Sequence, residues 1–279
     1  IARVVAFRDP YLAEQKPQWS LHVADDKIYR DNKGLAWVNP YKKEVWDYLV
    51  EVGKKAGKAG FDEIQFDYIR FAVDRTMNDV VFDDADTQGH NKTQAITEFI
   101  SYAHDELAKE GLFVSADVFG TIMRSEEDAA AVGQEYEDMA EQLDYICPMI
   151  YPSHYGPGNF GIEYPDTQPY DTILNALNGS RELLAASAKD DTPQAVVRPW
   201  LQDFTASYLE HYIRYGDEQV RQQIQAVYDA GYDQWILWDA GVSYHYGGLL
   251  TPEEAAEEDE RIAQSRAASE TEGAPAENV

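Results

Sequence analysis

Six short β-rich runs recur along this chain, and a stretch of helical period follows each of them. The runs fall at residues 1–7, 60–71, 112–119, 144–151, 194–202 and 234–238; the helical stretches at 41–59, 92–109, 125–142, 170–188, 217–230 and 252–267. Strict alternation of this kind implies a parallel sheet joined by right-handed helical crossovers. A doubly wound open sheet would carry a glycine-rich phosphate loop after its first strand. Here that place reads Arg8-Asp9-Pro10. The better fit is an α/β fold of the (β/α)8 TIM-barrel type, incomplete, with six units present and the first two expected upstream of Ile1. Residues 1–252 form the barrel domain, with a small hairpin insertion near 19–30 around Asp25-Asp26. Residues 72–90 read as an acidic loop without periodicity. Residues 253–279 read as an acidic helix and a disordered tail from Ala268.

Charge narrows the function. The formal net charge is -28; the tail from Glu253 holds nine acids and two bases, so it supplies seven of those negative charges and the body the other twenty-one. Such a surface repels phosphate backbones and anionic lipid, which argues against nucleic-acid partners and leaves neutral sugars open. No apolar run approaches the roughly 20 residues of a membrane span. Cys147 is the single cysteine, so neither an intrachain disulfide nor a zinc–cysteine cluster can form. The six histidines show no ligand spacing, and Asp83-Asp84-Ala85-Asp86 lacks the spacing of an EF-hand loop, so no metal is expected. Neither Gly-x-Gly-x-x-Gly nor a P-loop is present, so no nucleotide cofactor is expected either.

Chemistry is sought at the C-terminal ends of the strands, where barrels of this type place it. In the second run Glu63, Gln65 and Asp67 alternate with Ile64, Phe66 and Tyr68; in the third, Ser115 and Asp117 alternate with Val114, Ala116 and Val118. Period two puts Asp67 and Asp117 on one face and the aliphatic residues against the helices. Neighbouring strands lie about 4.8 Å apart. Two such carboxyl groups can therefore stand roughly 5 to 7 Å from each other, within the span used for glycoside hydrolysis. The plainer possibility is that these aspartates cap a helix or pair with Arg70 and Arg124.

Four ordered motifs carry a resemblance: 3–10 (Arg-Val-Val-Ala-Phe-Arg-Asp-Pro), 61–71 (Phe-Asp-Glu-Ile-Gln-Phe-Asp-Tyr-Ile-Arg-Phe), 115–120 (Ser-Ala-Asp-Val-Phe-Gly) and 198–202 (Arg-Pro-Trp-Leu-Gln). Over about residues 1–250 the chain resembles the glycoside hydrolase-like family once labelled DUF4015. The resemblance implies a TIM barrel, a bacterial setting, and an export or anchor segment, hence an extracellular or cell-envelope location. More distantly, 62–69 is similar to the chitinase-type signature Asp-Gly-x-Asp-x-Asp-x-Glu. Asp62 and Asp67 match it, but Ile69 stands where that signature has its acidic Glu. The acid is therefore sought on another strand. Asp67 is expected as nucleophile or base, kept ionised by Arg70 or another cation, and Asp117 as general acid. Trp200 and Trp238 are expected to stack on sugars or floor the pocket, Tyr151, His154 and Gln202 to bind hydroxyls, and Asp239 to join them at the rim. A non-catalytic carbohydrate-binding barrel is the alternative, and a metal-dependent hydrolase a more distant one.

Overall fold

The computed structural model describes residues 1–272, with side chains up to residue 264. Among the described residues ten strands follow in chain order: β1 (Ala2–Val5), β2 (His22–Val23), β3 (Lys27–Ile28), β4 (Glu63–Asp67), β5 (Val80–Val81), β6 (Phe113–Phe119), β7 (Tyr145–Met149), β8 (Val196–Val197), β9 (Trp200–Gln202) and β10 (Ile236–Trp238). The chain divides into two compact units. One comprises Ile1–Met149 with Arg181–Val197, the other Ile150–Ser180 with the chain from Arg198 onward.

In the first unit β1, β4, β6 and β7 lie side by side in that order, every pair parallel, and β8 runs parallel to β7. In the second unit β9 and β10 pair in parallel. The run 194–202, expected as one strand, is two. It breaks at Arg198-Pro199, where proline offers no N–H to a ladder.

The helices Lys43–Lys58 and Lys92–Ala108 connect β1 to β4 and β4 to β6. They cover the apolar side of the first unit's sheet. Ile64, Phe66, Val114, Ala116 and Val118 are fully buried. Phe99, from the second of these helices, stands edge-on to Phe66 at 5.2–5.3 Å from both it and Phe7. Such aromatic pairs add to the plain burial of their area.

The helix expected over 125–142 is two, Glu126–Val132 and Tyr136–Ala140. Gly133 separates them at φ +77, and a Cβ there would stand 2.9 Å from the Lys92 carbonyl oxygen. Both facts select glycine and end the first helix. The Asp9 carboxylate accepts the Leu12 N–H at 2.9 Å and caps a helix, Pro10–Gln15, that the sequence reading lacked.

The hairpin near 19–30 is β2 and β3, antiparallel across a turn in which Asp25 and Asp26 adopt positive φ. Its third strand is β5, from within the acidic stretch 72–90, which also holds the short helix Asp84–Thr87. Two-residue strands and single helical turns carry no periodicity, so the stretch read as loop. The C-terminal helix Pro252–Glu272 takes in residues expected to be disordered from Ala268; the remainder of that tail lies outside the described residues. No described helix is long and apolar enough to cross a membrane.

Candidate active site

The polar face of the first unit's sheet is a buried ladder. Glu63, Gln65, Asp67, Ser115 and Asp117 are 0–6 % exposed. Register sets their partners: Gln65 stands beside Ser115, and Asp117 beside Cys147. The Ser115 hydroxyl donates to Glu63 Oε1 at 2.5 Å, and the Gln65 amide donates to Cys147 Sγ at 3.3 Å. Polar side chains this deep are stable only when bonded in this way.

At the C-terminal end of the ladder, Asp67 and Asp117 meet one guanidinium. Arg3, from β1, donates from Nη2 to Asp67 Oδ2, and its Nε lies 3.7 Å from Asp117 Oδ2. Register explains the meeting, because Arg3 lies beside Gln65 on β4 and its side chain shares the ladder's face. The Arg3 side chain is 40 % exposed, whereas those of Asp67 and Asp117 are 7 % and 2 % exposed. The two carboxylates are thus enclosed while their cation reaches solvent. The other Asp67 oxygen accepts the Tyr68 N–H at 2.6 Å. The cation paired with Asp67 is therefore Arg3 rather than Arg70 or Arg124.

Gln134 fixes the strand ends. It is buried, its amide donates to the carbonyls of Ile69 and Asp117 at 3.2 Å each, and its oxygen accepts the Phe119 N–H at 3.1 Å. One side chain thereby ties the chain leaving β4 to the end of β6. Neither Arg3 nor Gln134 was singled out from sequence. An arginine within a short strand of otherwise apolar residues is a usable signal, since on the inner face of a sheet such a charge needs a carboxylate nearby. Gln134 gave none, because it lies between two helices where no period applies. Ile69, at the position of the chitinase-type acid, is a fully buried core residue.

Arg70 does not ion-pair with any carboxylate among the described residues. It donates to the Phe71 carbonyl at 2.8 Å, and its guanidinium lies over the rings of Phe119, Trp37 and Tyr68 at 4.6, 5.2 and 5.4 Å. Burial pushes it down to about 10, against the pull of nearby Tyr68 and Asp67.

The remaining expected residues lie in the second unit. Trp200 is buried and stands edge-on to Trp238 at 5.7 Å. Tyr151 is buried between His154 and Phe204, at 5.0 and 5.9 Å. Burial lowers the His154 imidazole below its ordinary value, and its Nδ1 lies 3.1 Å from the Ser153 hydroxyl. Gln202 is fully buried, and its side chain is engaged by the protein. It accepts the Ser153 N–H at 3.0 Å and donates to Asp166 Oδ1 at 2.9 Å and the Phe204 carbonyl at 3.1 Å. That amide shapes its own loop. Asp239 is half-buried and accepts the Ser243 N–H at 2.9 Å.

Residues 1–244 match the family model DUF4015, described as "Putative glycosyl hydrolase domain". The chain belongs to this family. Among solved structures, it is similar to the glycoside hydrolase domain of PgaB (BpsB) from Bordetella bronchiseptica: 11 % identity over 85 % of this chain and 69 % of that one, TM-score 0.56. It is also similar to a class V chitinase from Pseudomonas fluorescens Pf-5, with 13 % identity over 78 % and 76 % and a TM-score of 0.51. A hypothetical protein from Ruminiclostridium thermocellum shares 42 % identity over 42 % of this chain, TM-score 0.37, and the match covers just over half (56 %) of that protein. Curated proteins give no match. The DUF4015 chain thus has the α/β fold of (β/α)-barrel glycosidases.

Proposed function

We propose that this DUF4015 chain hydrolyses glycosidic bonds in a poly- or oligosaccharide, using Asp67 and Asp117. The observation that carries the reading is the convergence of two buried carboxylates on Arg3 at the C-terminal ends of adjacent parallel strands. Barrels of this type keep their chemistry at that end. Asp67, in direct contact with the guanidinium, serves as the anionic nucleophile or base. Asp117, farther from it, delivers a proton to the leaving oxygen. Arg3 holds both in register, and Gln134 fixes the backbone from which they project. Within the second unit, Trp200, Trp238, Tyr151, His154 and Asp239 are proposed for sugar contacts of their own. The net charge of -28 disfavours polyanions at long range, so the cleaved chain is largely neutral. The same reading puts the substrate outside the cytoplasm or at the cell envelope.

The test is release of reducing ends from a glycan panel by the wild type and by Asp67→Asn. Turnover by the wild type that vanishes in a folded Asp67→Asn supports the reading; equal turnover ends it. A second reading is favoured by the same ion pair, because a guanidinium that already satisfies both carboxylates also suits a binding protein without turnover. Glycan binding with no hydrolysis by the wild type would select it.

A further inference from the structure

Beside Asp67 the first unit opens a cleft of about 270 Å³, lined in part by Arg8, Asp31, Lys33, Trp37, Tyr68 and Arg70. Its charge runs against that of the chain. Three bases, Arg8, Lys33 and Arg70, face two acids, Asp31 and Asp74, on a protein of net charge -28. Both acids are bonded within the protein. Asp31 accepts the N–H groups of Lys33 and Leu35 at 2.9 Å and the Trp37 indole at 3.1 Å, with Arg8 Nε at 3.6 Å. Asp74 accepts the Tyr29 hydroxyl at 2.6 Å and also the Thr76 hydroxyl.

The arginines are less well supplied. Arg70 lies among three rings without a carboxylate partner in the described residues, and Arg8 stands over the Tyr68 ring at 4.5 Å. Both guanidinia therefore approach one tyrosine, although like charges repel. Tyr68 itself adopts φ +51, a left-handed conformation that an aromatic residue seldom takes. Strain of this sort gathers where a side chain must be aimed for a ligand. Tyr68 is also the residue directly after Asp67.

We propose that this cleft binds a carboxylate carried by the sugar chain, so that the substrate is a largely neutral glycan bearing a uronic acid residue. The inference rests on the hydrolase reading for its placement beside Asp67. Arg8 and Arg70 receive the carboxylate through charge-assisted hydrogen bonds, and the Tyr68 side chain at the cleft wall meets the ring that bears it, with Trp37 buried behind as support. The long-range field of the protein opposes a polyanion, whereas an isolated carboxylate is drawn in by the two guanidinia at contact range.

The experiment is calorimetric binding of oligosaccharides carrying one glucuronosyl or galacturonosyl residue, each beside its carboxyl-reduced counterpart, with the reduced oligosaccharide bearing one sulfate ester as a third arm. The protein is the full chain carrying Asp117→Asn, so that binding is read without turnover. The expected result is at least one uronide bound roughly tenfold or more tightly than its reduced form. Arg70→Met and, separately, Arg8→Met should erase that preference; Arg70→Lys should keep part of it. The Arg8 variant keeps the test open should Arg70→Met fail to fold. Equal affinity for acidic and reduced forms, no binding of any uronide, preference for sulfate alone, or a preference untouched in Arg8→Met would overturn it. Uronide binding by a wild type that cleaves none of the panel would uphold the cleft and count against hydrolysis. Cleavage of neutral glycans without uronide preference would do the reverse.

Discussion

The two units solve the problem of buried polar groups differently. In the first, the strand ends carry charge: Asp67 and Asp117 on one guanidinium, with the cation half in solvent. In the second, the end of β9 carries an amide, Gln202, bonded to Ser153, Asp166 and Phe204, with its backbone N–H given to Gln223 Oε1 at 2.9 Å; the next residue, Asp203, is an enclosed carboxylate paired with the His245 imidazole at 2.5 Å. An amide bonded through both its oxygen and its nitrogen, as Gln202 is, has its donors and acceptors in use, and what it produces is shape. A cation shared by two carboxylates leaves a strong field at a place solvent can reach, and that field is what the proposed chemistry would use. Buried polarity alone therefore does not mark a site; the kind of polarity and its access to solvent do.

Several substitutions would break or sharpen that contrast. The largest effect on stability is expected from Arg3→Met, which leaves two enclosed carboxylates without their cation. Breaking a fully buried pair costs about 3–5 kcal/mol. Arg3 is partly exposed, so about 3 kcal/mol or less is expected from urea unfolding, with part of it recovered in high salt. Gln202→Leu should come next, at about 2 kcal/mol, because it strands the Ser153 N–H and one donor to Asp166. Its effect should be indifferent to salt; a salt-sensitive Gln202→Leu, or a salt-insensitive Arg3→Met, would erase the distinction drawn here.

The smallest effect concerns His154. Its imidazole is held below the ordinary value by burial, so between its folded and unfolded values the unfolded chain binds the extra proton. Stability should therefore fall as pH drops through the ordinary imidazole range, and level off below the depressed folded value. His154→Gln should flatten this part of the profile by no more than about 1.4 kcal/mol per pH unit. Unfolding midpoints at about pH 7.5 and about pH 5.5, which bracket that range, give the comparison; an unchanged slope in the variant would show that other groups set it.

Much of this was legible in the sequence. Period two in Glu63–Asp67 and Phe113–Phe119 put Asp67 and Asp117 on one face, and both strands lie parallel and adjacent. The helices Lys43–Lys58 and Lys92–Ala108 were expected from apolar spacing at 41–59 and 92–109. What stayed hidden depends on register between distant strands. Arg3 meets Asp67 because residue 3 pairs with residue 65 across the sheet, and no local pattern encodes that. Gln202 shows the opposite error. At a strand end it looks ready for a ligand, and only its three partners in the fold reveal that its amide is already in use.

The role assignment is tested most directly by leaving-group dependence. Wild type, Asp67→Asn and Asp117→Asn are compared on aryl glycosides of a sugar the wild type accepts, one with a good leaving group and one with a poor one. Loss of a general acid should slow the poor leaving group by about a hundredfold to ten-thousandfold and leave the good one near wild-type rate. That is the pattern predicted for Asp117→Asn, with Asp67→Asn slow on both. Wild-type rates in either variant on the poor leaving group would contradict the account.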